Sequence, residues 1–394
     1  MDLKLLVDGA EFAAQLAADV GAARKSVLVQ TLSFEGDGAG WALAGPLLAS
    51  SAPDRRVLVD SFSRHVLSDR LRWSPSGLLD AGLRAEGRET ARMIAQLHAG
   101  GVPVRYTNPL GLLGSRLHDR NHKKAVVVDE RIAYLGGINF SDHNFQWHDL
   151  MLRIEDPAAA AFLHQDFLWS WQGRHRCSLG EFPGLTVHVT DGRSNEPGFA
   201  AALALIDAAR ESVFLECPYV TSPFSERLQR ARQRGVRVTV VVPERNNRPV
   251  LRDSMAWYAQ QWGLDVRFYP GRMTHMKALL VDDRQLLLGS ANFDVISYSF
   301  QQEYLAVVSH PALVEEFRRR VVEVDLRQAR PCTERIAPLR GRILELKLRA
   351  FLRLCGLWKA ALAEGGAAAA PAAAEVRPAA APLAGSLRDP GAGS

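Results

Sequence analysis

His122-Lys123-Lys124-Ala125-Val126-Val127-Val128-Asp129, followed by Gly136-Gly137-Ile138-Asn139, returns later as His275-Met276-Lys277-Ala278-Leu279-Leu280-Val281-Asp282 and Gly289-Ser290-Ala291-Asn292. Both copies read H-x-K-(x)4-D-(x)6-G-[GS]-x-N with no gap. At about 5% usage per residue type, six fixed positions match by chance on the order of once in 10⁸ starting points. Two copies in one chain imply a duplicated domain that brings two histidines to one site. The apolar run in each copy reads as a strand. A histidine and a lysine two apart then point to the same face, which presents a nucleophile and a cation together.

Outward from the motifs, the same order of elements is predicted twice. Ser26 to Leu32, Arg56 to Asp60 and Val102 to Tyr106 read as strands before the first motif. Ser212 to Glu216, Val236 to Val242 and Leu264 to Tyr269 read as strands before the second. Helical spacing separates them, as in Asp8 to Ala22 with Phe12, Leu16 and Val20 on one face. Asp129-Glu130-Arg131 reads as a hairpin turn between Lys124 to Val128 and Ile132 to Leu135. The expected fold is two similar α/β-sandwich halves with mostly parallel sheets around one shared site. The expected divisions are 1–185, 186–330, a basic helical segment 331–364, and an Ala/Pro-rich disordered tail 365–394. The stretch 173–197 is the least patterned, which places the boundary there.

Composition is that of a globular protein, 47% hydrophobic and 23% charged, with a net charge of +5 that favours anionic partners without choosing lipid or nucleic acid. Cys177, Cys217, Cys332 and Cys355 are widely spaced, so neither a metal cluster nor a disulfide framework is expected and a reducing compartment fits. The N-terminus lacks a signal-peptide pattern and no apolar run is long enough to span a bilayer. A cytoplasmic protein with peripheral membrane contact is expected, at the inner face of the cell membrane.

The motif residues fit phosphodiester chemistry. Neutral imidazole attacks an anionic phosphorus without the penalty an anionic nucleophile would meet. A second, protonated imidazole then eases departure of the alcohol. Lys124, Lys277, Asn139 and Asn292 can neutralise and position the non-bridging oxygens, and Ser290 can add a hydroxyl donor. No cofactor and no metal are expected. Asp129 and Asp282 belong to the motif, yet they fall in probable turns, where structural support is as reasonable as a direct catalytic part. His118 and His148 lie near the site in sequence and could line it, with surface or structural roles favoured for both.

The doubled motif resembles that of the phospholipase D superfamily. Asp37 with Gly40, Trp147-His148-Asp149, Cys217-Pro218-Tyr219-Val220 and Gly289-Ser290-Ala291-Asn292-Phe293-Asp294 resemble segments of its bacterial cardiolipin synthase branch. The resemblance implies that His122 is the nucleophile and His275 the general acid/base. It also implies that Asp149 and Glu303, which follow Asn139 and Asn292 at matching distances, orient the histidines. This chain departs from the branch at His148, where an Arg is usual, and at Ile296-Ser297 and Gln301-Gln302-Glu303. The implied activity is phosphatidyl transfer through a phosphohistidine, with phosphatidylglycerol as donor and acceptor. Hydrolysis to phosphatidic acid is the alternative. A nuclease is less favoured because basic residues cluster chiefly near the C-terminus, and a non-enzymatic membrane binder is disfavoured by two intact motifs.

That cluster is the stretch Arg340 to Leu362, in which Leu344, Leu348, Phe351, Leu352 and Cys355 share one helical face. Its basic residues and Trp358 suit an interfacial membrane segment, while a helix packed on the sandwich with a solvated basic face is the competing reading. A phospholipid substrate and a membrane surface are thus the expected partners, with the oligomeric state open.

Overall fold

The computed structural model describes residues 1–111, 114 and 116–367, with backbone only for 361–367. The tail predicted from 365 onward thus lies almost wholly outside the described residues.

Each copy of the motif sits in its own mixed sheet. The first has seven strands, in spatial order Asp2–Val7, Leu150–Glu155, Ile132–Gly136, Ala125–Val128, Ser26–Thr31, Asp54–Asp60 and Val104–Thr107. The second repeats this core with Tyr304–Val308, Gln285–Gly289, Ala278–Val281, Ser212–Glu216, Arg237–Pro243 and Asp265–Tyr269, and extends it at both edges. Only two pairings in each sheet are parallel, those made by helical crossovers. The remaining pairings are antiparallel. The expectation of mostly parallel sheets is therefore corrected. The motif itself is a hairpin and so imposes antiparallel neighbours, whatever the flanking helices suggest.

The stretch 173–197 is also more ordered than its pattern suggests. Ser178–Phe182 pairs with Leu185–Val189, and that hairpin extends the second sheet through Tyr304–Val308. By sheet membership, 178–185 goes with the second half. Asp2–Val7 is a further strand without a sequence-level reading; it pairs antiparallel with Leu150–Glu155 at the first sheet's edge.

The motif strands read as unbroken apolar runs because both faces are buried. Ala125 and Val127 join Ala278 and Leu280 in one core cluster shared by the two halves. Val126 and Val128 point into the first half's own core, and Leu279 and Val281 into the second's. The shared layer also holds the Pro157–Trp171 and Pro311–Phe317 helices. The halves are thus fused through a common apolar layer, which fixes the two histidines relative to each other.

The C-terminal helix runs from Pro338 to Ala367. The face predicted from sequence packs against the second half at Leu344, Leu348 and Cys355, while Phe351 is exposed. Trp257 donates to Glu345 from the Pro249–Trp262 helix (2.8 Å), and Trp358 meets His118. A second apolar stripe, Leu339, Ile343, Leu346, Leu354 and Leu357, is exposed on the opposite side of this helix. No helix among the described residues is long and apolar enough to cross a membrane.

Candidate active site

Two short strand contacts between the halves build the site. Arg120–Asn121 pairs in parallel with Gln301–Gln302, so His122 and Glu303 follow side by side. A parallel bridge joins His148 to Thr274, so Asp149 and His275 follow side by side. The register is the same twice: the residue before each histidine pairs with the residue before the other half's carboxylate. Backbone bonds lock it, from His122 N to Gln302 O (3.0 Å) and from His275 N to His148 O (2.7 Å).

Each histidine is therefore oriented by the opposite half. His122 Nδ1 lies 2.9 and 3.1 Å from the Glu303 oxygens. His275 Nδ1 lies 2.7 Å from Asp149 Oδ2. With Nδ1–H donating to the carboxylate, Nε2 keeps its lone pair for the cleft. Lys277 Nζ is 2.8 Å from the same His275 Nδ1. One Nδ1 cannot both donate to Asp149 and accept from an ammonium, so the Lys277 bond that counts is the one to His275 O. Lys124 makes the equivalent bond to His122 O (2.7 Å).

Burial sets the charge states. His122 and His275 are 6% and 5% exposed, and desolvation lowers the pKa of both. Glu303 opposes that fall at His122, whereas Lys277 and Lys124 deepen it at His275. Burial brings Lys124 down to about 7 and lowers Lys277 as well. Asp149 is pushed up to about 6 by desolvation. For Glu303, burial acts upward, but His122, Lys124 and Ser290 outweigh it and leave the carboxyl below its usual value.

The predicted residues fall into two groups. His122, His275, Lys124, Lys277, Asp149 and Glu303 converge, and Asn139 and Asn292 are buried beside them on the loops that follow the motif hairpins. Asn139 is braced by Asn144 (3.0 Å). Ser290 is corrected: its hydroxyl donates to Glu303 and accepts from Tyr304 N, so no proton remains for a phosphoryl oxygen. It is a positioning residue. At the matching Gly137, a Cβ would collide with the Asp149 carboxylate, so glycine is what admits that acid.

Of the two readings open for Asp129 and Asp282, the contacts they make fit the structural one. Asp129 accepts from the backbone N–H groups of Arg24, Lys25 and Ser26, and Asp282 from those of Arg210, Glu211 and Ser212. Both have φ near +50° in tight turns, Asp129 at 55° and Asp282 at 51°. They tie each motif hairpin to the start of the neighbouring strand and touch nothing in the cleft.

Several contributors lie outside the doubled motif. Trp147 (4.8 Å between ring centres) and Tyr219 (6.5 Å) wall His275. Asp60 accepts from Arg120 (2.8 Å) and from Asn121 N (2.6 Å), bracing the strand before His122. Lys123, between His122 and Lys124, points away and bonds Asp166 (2.8 Å) in the shared layer. His148 is structural: its ring nitrogens bond Asp8 (2.8 Å) and Asp325 (3.0 Å). Burial works against its charge, but those carboxylates raise it to about 10, so it bridges the halves as a cation. His118 lies tilted against Phe300 and edge-on to Trp358.

Two fused halves, two crosswise histidine–carboxylate pairs and two lysines define a phospholipase D-type enzyme. The chain belongs to the family described as cardiolipin synthase, PLD-like domain, which matches residues 16–171 and 202–323. It is 25% identical to cardiolipin synthase B of Escherichia coli K12 over 336 residues, 78% of this chain and 76% of that one. It is 30% identical to cardiolipin synthase A of Yersinia pseudotuberculosis over 222 residues, 49% of this chain and 45% of that one. Its fold matches that of a phosphatidylserine synthase from Haemophilus influenzae with a TM-score of 0.69 and 16% identity, over 91% of this chain and 94% of that one.

Proposed function

We propose that the protein is a phosphatidyltransferase of the cardiolipin synthase type, taking phosphatidylglycerol as donor and acceptor. The observation that carries this reading is the pair of histidines, each held by a carboxylate of the other half. His122 Nε2 attacks phosphorus, and the bond from phosphorus to the head-group glycerol oxygen breaks, leaving the phosphatidyl group on His122. His275 gives its proton to that oxygen. In the empty site burial and two lysines hold His275 neutral, so the proton is taken up together with the anionic diester, whose charge favours imidazolium. A second phosphatidylglycerol then loses its hydroxyl proton to His275 as its oxygen displaces His122 from phosphorus. Lys124 and Lys277 turn from the histidine carbonyls to the non-bridging oxygens, with Asn139 and Asn292 beside them. The role of His122 rests on the family's first-motif nucleophile.

The outward stripe of the C-terminal helix supports peripheral binding at the inner face of the membrane. Leu339, Ile343, Leu346, Leu354 and Leu357 face out, flanked by Arg342, Lys347, Arg349 and Arg353. The membrane face is thus the reverse of the one that the sequence pattern singled out.

The test is turnover of phosphatidylglycerol vesicles followed by lipid mass spectrometry, beside His122→Ala and His275→Ala. Cardiolipin and glycerol, absent with both variants, is the expected result. Phosphatidic acid alone would replace transfer by hydrolysis, and no lipid product would overturn the reading. A phosphoryl adduct on the peptide holding His122 is expected to persist in His275→Ala when a good leaving group removes the need for the acid.

A further inference from the structure

The segment between the Asp54–Asp60 strand and the Ala81–Ala99 helix takes no part in the chemistry above. After a single 3-10 turn, Ser61–Arg64, it forms a tight hairpin, Val66–Leu67 against Arg70–Leu71. Its turn residues Ser68 and Asp69 have φ of 47° and 59°, the left-handed pair that matches strand twist. A short helix, Pro75–Leu79, follows and is capped by Ser74. Gly77 lies so close to the Leu71 and Arg72 carbonyls that no Cβ would fit. Hairpin and short helix are thereby folded into one compact unit.

Contacts place that unit at the rim of the cleft. Asp69, at the hairpin tip, accepts from Asn247 Nδ2 of the second half (3.2 Å) and lies 3.8 Å from His143 Nε2. The His143 ring meets Trp147 at 5.1 Å, and Trp147 meets His275 at 4.8 Å. Beyond the tip the unit exposes Leu71 (55%), Trp73 (57%), Leu78 (49%) and Leu79 (83%). Single exposed apolar side chains are ordinary, but four large ones within one small unit are not. Arg64, Arg84 and Arg88 are exposed nearby in the chain, Arg70 is paired with Asp80 (2.5 Å), and the Arg72 guanidinium lies 5.0 Å over the Trp73 ring.

We propose that residues 66–79 are a membrane-seating element. Leu71, Trp73, Leu78 and Leu79 enter an anionic phospholipid surface at the mouth of the cleft while the surrounding arginines pair with lipid phosphates. Apolar tip, tryptophan and basic collar are the combination that holds a segment at a bilayer interface. The C-terminal helix carries an apolar stripe flanked by basic residues on its outward side, while its Trp358 turns inward to His118 beside Phe300, just before Gln301–Gln302 and the His122 strand contact. Both elements carry exposed apolar side chains beside arginines, and in this proposal one extended anionic surface engages both. Head groups then reach the histidines from the plane of the bilayer. The inference rests on the phospholipid reading above.

The test compares the full chain with a Trp73→Ser, Leu78→Ser, Leu79→Ser triple variant, after confirming an unchanged Tm. Cosedimentation with phosphatidylglycerol and with phosphatidylcholine vesicles is measured. So is turnover of phosphatidylglycerol in vesicles and as a short-chain monomer in solution. The variant is expected to bind phosphatidylglycerol vesicles at least about tenfold more weakly, since three inserted side chains are lost. Vesicle turnover is expected to fall in parallel, with monomer turnover kept within about twofold. Binding that is undiminished, or equal on both vesicle types, would overturn the proposal, as would equal loss of vesicle and monomer turnover. If the unaltered protein turns over neither lipid form, the substrate reading fails. Vesicle binding still decides the seating element: loss in the variant upholds it, and no loss, or no binding by the unaltered protein, removes it.

Discussion

Replacing Glu303 by Gln isolates the crosswise pairing. Glu303 is fully buried and accepts from His122 Nδ1 (2.9 Å), from Ser297 Oγ (2.9 Å) and from Ser290 Oγ. The amide keeps the shape, and either serine hydroxyl can still donate to its oxygen. Its NH₂ group, however, must find an acceptor, and where it takes the place of the oxygen facing the ring that acceptor is His122 Nδ1 (2.9 Å). That bond moves the imidazole proton to Nε2 and removes the lone pair that attacks phosphorus. The expected loss in kcat is about 10³- to 10⁴-fold, the scale of a wrong-tautomer histidine, with KM within about threefold because the lysines are untouched. The stability cost should be small, about 1–3 kcal/mol, since most bonds are re-formed. The pH profile separates this from a charge effect. Glu303 raises the His122 pKa against the pull of burial, so its removal leaves the ring more neutral, and raising the pH restores nothing. Vesicle turnover measured from pH 5.5 to 9 is the assay. A loss below about tenfold, or recovery at high pH, would refute the reasoning.

Lys124, lowered to about 7 by burial, is cationic below that value and neutral above it. Accordingly kcat/KM, which reports the free enzyme, should decline as pH rises through about 7, and Lys124→Arg should remove that decline while lowering kcat. Asp129→Asn and Asp282→Asn each weaken an acceptor for three backbone N–H groups outside the cleft. Each should cost about 1–2 kcal/mol in denaturant unfolding and leave kcat within about threefold. A far larger kcat loss without a stability change would return these residues to the chemistry.

The sequence by itself determined the duplication, the histidine and lysine pairs, which lead into each motif strand rather than lying on it, and the buried character of Ala125–Val128 and Ala278–Val281. These are local properties, written in residue type and period. Asp149 and Glu303 were legible as a matched pair, but not whose histidine each serves. That depends on two strand contacts, Asn121 with Gln302 and His148 with Thr274, between residues far apart in the chain. Ser290 was misread for the same reason, because its hydroxyl is claimed by a carboxylate that only the folded chain brings near. Sheet direction followed from hairpins that alternation of strands and helices conceals. The C-terminal helix carries apolar residues on two sides, and its sequence does not say which side packs. The tertiary structure decides, because Trp257 and its neighbours cover Leu344 and Leu348 and leave Leu346, Leu354 and Leu357 outside.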